Sequence, residues 1–162
     1  ILMLKKYGGV LLHACGMCIN GEGVLFVGDS GAGKSTMASL MNHGQNVAVL
    51  GDDQVIVRRQ SGKLWVYPTP WYSRVRTTLV RPVPLKSVYF IEHHHHNRLE
   101  SLSPATAAAS LITHSFPPHW SRAGMERIVV ICSQISKEIE CARLGFVPDE
   151  SVISYLGCAT CC

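Results

Sequence analysis

The sequence predicts an α/β domain with a mixed sheet and flanking helices, and three features support this fold class. Two short apolar runs, at 24–27 and 47–50, have the length and composition of strands buried on both faces. A segment with helical periodicity follows the first of them at 34–41. A hairpin pattern spans 55–66. Parallel and antiparallel strands are therefore expected in one sheet.

The remaining elements are predicted from the same kinds of pattern. Asn20-Gly21-Glu22-Gly23 is a hairpin-type turn, and Ser103-Pro104 predicts a helix start with a serine cap and proline in the first turn. A proline-rich stretch at 67–84 is expected to be irregular. An extended segment is predicted at 7–19, and strands are predicted at 87–91 and 141–147. Helices are predicted at 105–112 and 119–137, and a short final helix capped by Asp149 follows.

The composition is that of a globular protein and argues against several functional classes. The chain has 162 residues, about the size of one domain, with 47% hydrophobic and 16% charged residues. Its net charge is +4, and no dense block of lysine and arginine predicts nucleic-acid binding. No apolar run reaches the roughly 18 residues that span a bilayer, and no secretory signal is present, so we expect no membrane partner and a cytoplasmic location. The chain begins at Ile1, which is compatible with a fragment that lacks an upstream domain.

The strongest motif is a complete Walker A sequence. Glycines let successive backbone N–H groups turn toward an anion, and the N-terminus of the following helix adds its positive dipole end. Lys34 would neutralise the β and γ phosphates of ATP, and Ser35 would bind Mg²⁺. A glycine-rich turn that binds nothing is the structural alternative. The predicted nucleotide-binding residues are Gly28, Asp29, Ser30, Gly31, Ala32, Gly33, Lys34, Ser35 and Thr36.

Two adjacent carboxylates follow the next predicted strand. Asp52 lies eighteen positions after Lys34, and Asp53 comes directly after it. Open α/β sheets bind ligands at the carboxyl ends of their strands. Asp52 is therefore predicted to bind Mg²⁺ with Ser35, and Asp53 to act as the base that accepts a proton from an attacking hydroxyl. The reverse assignment is also compatible with the sequence, and an ordinary Gly-Asp-Asp turn is the structural alternative.

Together these motifs resemble those of the catalytic domain of HPr kinase/phosphorylase. In that family a histidine precedes the Gly-Asp-Ser-Gly-x-Gly-Lys-Ser loop and paired aspartates follow it; here these are His13, the loop at 28–35 and Asp52-Asp53. The resemblance implies that residues 1–162 form a single P-loop kinase-like domain with the fold of HPr kinase and phosphoenolpyruvate carboxykinase. It also implies transfer of phosphate to a serine hydroxyl, with His13 near the phosphates. Without this resemblance, a single histidine on an apolar strand is more typical of a core residue than of a functional one.

The later part of the chain is similar to a shorter HPr-kinase-like branch. It has no Glu-x-Arg-Gly stretch, which true HPr kinases use as a further metal ligand. This branch is often encoded beside peptide-maturation genes and includes lasso-peptide kinases. The resemblance implies a serine-containing peptide, small protein or metabolite as the acceptor. Ring assemblies are common in the HPr kinase family, so a homo-oligomer is also compatible with it.

Two other functions are compatible with the sequence. A regulatory ATP-binding module would use the same loop without phosphate transfer, and the missing Asn-Lys-x-Asp motif argues against GTP. A zinc-binding or redox adaptor would use the cysteines, of which Cys15/Cys18 and Cys158/Cys161 form Cys-x-x-Cys pairs. Positions three apart on a strand face opposite sides, which argues against zinc at the first pair. The seven cysteines are expected to be mostly reduced thiols.

Two polar segments have alternative interpretations. Trp71, Arg74, Arg76 and Arg81 would line an acceptor groove or a second phosphate clamp, or else form a solvated basic loop. The histidine run at 93–96 is interpreted as a polar loop after a strand. Consecutive strand residues point in opposite directions and rarely share one metal ion.

Overall fold

The computed structural model describes residues 8–69, 71 and 77–157. Within these ranges the strands are β1 (Gly9–Ile19), β2 (Glu22–Val27), β3 (Val47–Gly51), β4 (Gln54–Gln60), β5 (Lys63–Tyr67), β6 (Val83–His93), β7 (Arg98–Ser101) and β8 (Glu140–Phe146). The helices are α1 (Lys34–Met41), α2 (Pro104–Thr113), α3 (Arg122–Glu138) and α4 (Ser151–Tyr155). Four residues named in the predictions lie outside the described residues: Arg74, Arg76, Cys158 and Cys161.

The strands form one mixed sheet in which the two long strands, β1 and β6, each pair with several neighbours. The C-terminal half of β1 pairs antiparallel with β2 and β3, and its N-terminal half pairs antiparallel with β4. β5 connects β4 to the start of β6, which then pairs in parallel with β2 and β8. β7 pairs antiparallel with β8. The prediction of a mixed sheet is confirmed.

Helices cover the sheet over two separate apolar clusters. β1 alternates between them, with Ala14 in the first and Cys15 in the second. α2 and α3 contribute Leu111 and Ile135 to the first cluster, while α1 contributes Met37 to the second. Fully burying one such large apolar side chain stabilises the fold by about 1.5–3 kcal/mol. The predicted flanking helices are confirmed, and the finer assignment to a P-loop nucleotide-binding fold stays a prediction.

A tight hairpin joins β1 to β2. Asn20 and Gly21 both have positive φ, +51° and +85°, which is the pattern of a two-residue turn that matches the twist of its strands. The predicted turn was too long, because Glu22 and Gly23 already pair in β2. An added Cβ on Gly23 would lie 3.1 Å from the carbonyl oxygen of Pro84, so glycine permits β6 to approach closely.

The edge strand β7 is the one described element that the sequence analysis did not predict. Its four residues are all exposed and include Arg98 and Glu100, so no alternating pattern marks it. Short, charged strands are common at sheet edges, where they discourage pairing with other chains. The helix that follows does begin where predicted, since Ser103 Oγ accepts the N–H of Thr106. In the described ranges, every helix is too short or too polar to span a membrane.

Candidate phosphate-binding site

The Walker A loop lies at the edge of the sheet where the parallel strands end. It follows β2 directly and enters α1 at Lys34. β6 ends beside it at His93 and β8 at Phe146, and the rings of these two residues stack with centroids 5.4 Å apart. This edge, outside the carboxyl ends of parallel strands, is the usual position of a ligand in α/β sheets.

Two glycines shape the loop. Gly31 and Gly33 have φ values of +87° and +100°, in the left-handed region where a side chain is strained. Gly33 also has no room for a side chain, because an added Cβ would lie 2.6 Å from Cζ of Phe146. Gly33 is the N-cap residue of α1, so its conformation determines how the N-terminus of that helix is oriented relative to the rest of the loop.

Gly33→Ala is expected to destabilise the protein and distort the loop. The left-handed backbone costs a residue with a side chain about 1–3 kcal/mol, and the clash with Phe146 adds to this. Gly62→Ala is the matched control, since Gly62 has a φ of +77° with open space around it in the turn between β4 and β5. Calorimetry should give a lower melting temperature for both variants and the larger decrease for Gly33→Ala. Equal decreases would contradict the packing argument.

Lys34 is buried at the base of the loop, with 6% of its surface exposed. Its Nζ donates to the carbonyl oxygens of Gly28, at 2.7 Å, and Asp29, at 2.9 Å. Burial lowers the pKa of the Lys34 amine below its usual value, while the carboxylates of Asp53 and Asp29 act in the opposite direction. The amine is therefore partly desolvated, and ion pairing with an anionic ligand would be strong there.

The two aspartates between β3 and β4 face different parts of the site. Asp52 is 3% exposed, and the hydroxyl of Ser35 donates to its Oδ2 over 3.4 Å. Asp53 keeps 44% of its side chain exposed, and its Oδ1 lies 3.3 Å from Nδ1 of His13. Although adjacent in sequence, they present one buried carboxylate to the loop and one accessible carboxylate to the solvent side.

His13 is a partly buried neighbour of both Asp53 and Lys34. Burial lowers the pKa of its imidazole below the usual 6.5, the Lys34 cation lowers it further, and the Asp53 carboxylate opposes both. The imidazole is therefore neutral at about pH 7, and its Nδ1 is the ring nitrogen that lies beside the carboxylate of Asp53. This arrangement orients Asp53 without neutralising it.

The lowered pKa of His13 predicts that acid destabilises the folded protein. Below the usual value of 6.5 the unfolded chain takes up a proton on this residue before the folded protein does, so stability falls as the pH drops through that value toward the lower folded pKa. His13→Gln removes this contribution. Melting temperatures measured between about pH 5 and pH 7.5 should fall more steeply for the wild type than for the variant. Parallel curves would contradict the assigned shift.

These groups surround one cavity of about 390 Å³. Its lining residues come from β1, the loop, α1, the β3–β4 turn and β6, and they are His13, Ser30, Gly31, Gly33, Lys34, Ser35, Thr36, Asp53 and His93. The other predicted site residues adjoin this lining without forming it: Gly28, Asp29, Ala32 and Asp52. The structure thus brings the predicted loop, both aspartates and His13 into one site.

His114 also belongs to this site, although the sequence analysis did not select it. Its Nε2 lies 3.3 Å from Oδ1 of Asp29, and its Nδ1 lies 2.8 Å from the carbonyl oxygen of Ser110. Its own carbonyl oxygen accepts the N–H of His13 over 2.7 Å. His114 caps the end of α2, far from His13 in sequence, so no local pattern could have revealed this contact.

Other candidate residues do not line the cavity. Trp71 and Arg81 are not among its lining residues. Cys15 and Cys18 are buried in different apolar clusters, as expected for positions three apart on a strand. Burial raises the pKa of the Cys15 thiol and keeps it protonated. Among the described residues, no group of three or more His, Cys, Asp or Glu side chains is placed to hold a metal ion.

Comparison with known proteins corrects one prediction and assigns a family. No curated protein matches the chain. The family model that matches, over residues 1–131, is described as SynChlorMet cassette protein ScmC and is not a model of the HPr kinase family. The resemblance to HPr kinase/phosphorylase and its shorter branch is therefore wrong: it depended on short motifs, and unrelated families can share such phosphate-handling motifs. Because the match covers more than half of its length, the chain belongs to the ScmC family of SynChlorMet cassette proteins.

Proposed function

We propose that this protein is an ATP- and Mg²⁺-dependent kinase that transfers the γ-phosphoryl group of ATP to a serine hydroxyl. The acceptor would be a serine-containing peptide, a small protein or a metabolite. The observation that supports this most directly is that Asp52 and Asp53 occupy different positions in the site. One carboxylate faces the hydroxyl of the Walker A loop and the other stays accessible beside the same cavity. A site that only binds nucleotide has no need of the second carboxylate.

Ser35 and Asp52 are the residues that would hold Mg²⁺. A hydroxyl and a carboxylate are the oxygen ligands that this ion prefers, and here they lie within 3.4 Å of each other. Magnesium keeps several waters and takes phosphate oxygens, so one or two protein ligands are sufficient. When bound, the ion would neutralise charge on the β and γ phosphates.

Asp53 is the proposed general base. Its accessible carboxylate takes the proton of the acceptor serine while the serine oxygen forms a bond to the γ phosphorus. The bond between that phosphorus and the oxygen bridging to the β phosphate breaks, and ADP leaves. Neutral His13 orients the base, and Lys34 stabilises the charge on the phosphates.

The alternatives differ from this proposal in what they require of the same chain. A regulatory ATP-binding module would use the loop but transfer no phosphate. A zinc or redox adaptor would use thiols, and the buried, protonated Cys15 is poorly suited to either role. A cytoplasmic location, without nucleic-acid or membrane partners, belongs to the proposal as a further prediction, and a homo-oligomer is compatible with it.

The decisive experiment supplies the protein with Mg²⁺, γ-labelled ATP and a panel of serine-containing peptides, small proteins and metabolites. Label on an acceptor that is lost when its serine is replaced by alanine would support the kinase. Tight ATP binding with no transfer to any acceptor would favour the regulatory module. Stoichiometric zinc in the freshly reduced protein, without ATP binding, would favour the adaptor and contradict both nucleotide functions.

A further inference from the structure

We infer that His93 is a positioning residue of the phosphate loop, one that holds the loop in the shape that receives an anionic ligand. This inference rests on the proposed nucleotide site. His93 takes no part in the phosphoryl transfer proposed for this site. It is the first of four consecutive histidines, and it is the one that lines the cavity.

His93 contacts the loop at Gly31 and lies close to Gly33. Its Nε2 lies 3.1 Å from the carbonyl oxygen of Gly31, and since a carbonyl only accepts, Nε2 carries the proton in this contact. Its Cε1 lies 3.2 Å from the position that a Cβ on Gly33 would occupy. The ring stacks on Phe146, with 29° between the two planes. The side chain is therefore held by stacking while its N–H is directed at the loop.

These contacts fix one peptide group of the loop from both sides. The carbonyl of Gly31 accepts from His93, and the N–H of the next residue, Ala32, donates to the carbonyl oxygen of Asp29 over 3.1 Å. With this peptide group fixed, the Gly31 carbonyl stays turned toward His93. Without the His93 donor, only the bond from Ala32 to Asp29 would hold this peptide group, and the Gly31 carbonyl would turn more readily toward the ligand, where its negative end would repel phosphate oxygens. The predicted role is thus to preserve affinity for phosphate, and the N–H of His93 is the group that performs it.

Three variants separate the donor from the stacked ring. His93→Gln keeps an N–H donor of similar reach, whereas His93→Phe keeps the stack on Phe146 and has no donor. His95→Gln is the matched control, because His95 belongs to the same exposed run but does not line the cavity. Binding of MgATP to the whole chain is measured by calorimetry, together with each melting temperature. His93→Phe should bind about tenfold more weakly than the wild type, His93→Gln within about threefold, and His95→Gln unchanged.

The outcomes separate this inference from the function on which it rests. Wild-type affinity in His93→Phe would overturn the inference and leave the nucleotide site intact. Equal losses in His93→Phe and His93→Gln would also overturn it, because a retained N–H donor would then not preserve affinity. A melting temperature clearly lower in His93→Phe than in His93→Gln would overturn it as well, because the N–H donor would then stabilise the fold rather than the ligand-binding shape of the loop. No binding of MgATP by the wild type would overturn the nucleotide site and the inference together.

Discussion

Asp53→Asn is expected to reduce phosphoryl transfer by about a hundredfold or more, while MgATP still binds with similar affinity. The amide has the size of the carboxylate but cannot accept the serine proton, and positioned general bases contribute about 10²–10⁴ in rate. Affinity should be little changed because Asp53 faces His13 and the accessible side of the cavity rather than the loop hydroxyl. Initial rates of label transfer and calorimetric titrations with MgATP measure the two quantities separately.

Asp52→Asn is the matched control for this prediction, since it makes the same chemical change at the neighbouring residue. Asp52 is buried against the hydroxyl of Ser35, so its variant should need a higher Mg²⁺ concentration for half-maximal transfer. If Asp53→Asn instead shifts the magnesium requirement and Asp52→Asn lowers only the rate, the two roles are reversed. Small effects in both variants would contradict the proposed site.

The loop and its surroundings were predictable because their determinants are local in sequence. Gly31 and Gly33 occupy left-handed backbone positions that disfavour any other residue, and a buried strand and a helix flank them. The start of α2 at Ser103 is local in the same sense, since its hydroxyl caps an N–H three residues later. The proximity of Asp52 to the loop was also predictable, because parallel strands end at one edge of a sheet.

The features that the sequence did not predict depend on contacts between distant parts of the chain. His114 reaches Asp29 from the end of α2, and His93 reaches Gly31 from the end of β6, but neither position has a local pattern that distinguishes it from an ordinary polar loop. The exposed strand β7 lacks an alternating pattern for the same reason: it buries neither face. The family was predicted wrongly because short motifs report the chemistry of a site, while the family is determined by the whole chain.

Lys34→Met is expected to weaken MgATP binding by about a hundredfold or more, because it removes the buried ammonium group that would pair with the phosphates. Methionine keeps the apolar stem, so the space beneath the loop stays filled. The variant loses the hydrogen bonds from Nζ to the carbonyls of Gly28 and Asp29. The variant also no longer buries a charge, which offsets part of the stability lost with these hydrogen bonds. The measurement is a calorimetric titration with MgATP, accompanied by a thermal melt.

The thermal melt decides whether Lys34 acts in binding or in the fold. Its lowered pKa means that the folded state holds the proton less tightly than the unfolded chain, so the charged amine opposes folding at every pH below that lowered pKa. Removing the charge offsets the lost hydrogen bonds, and the melting temperature should change by only a few degrees. Lys86→Met, at an exposed lysine paired with Glu22, is the control for net charge and should alter neither quantity. A large fall in the melting temperature of Lys34→Met with little loss of affinity would assign Lys34 to the fold. A residue that binds the ligand should instead show a large loss of affinity with little change in melting temperature.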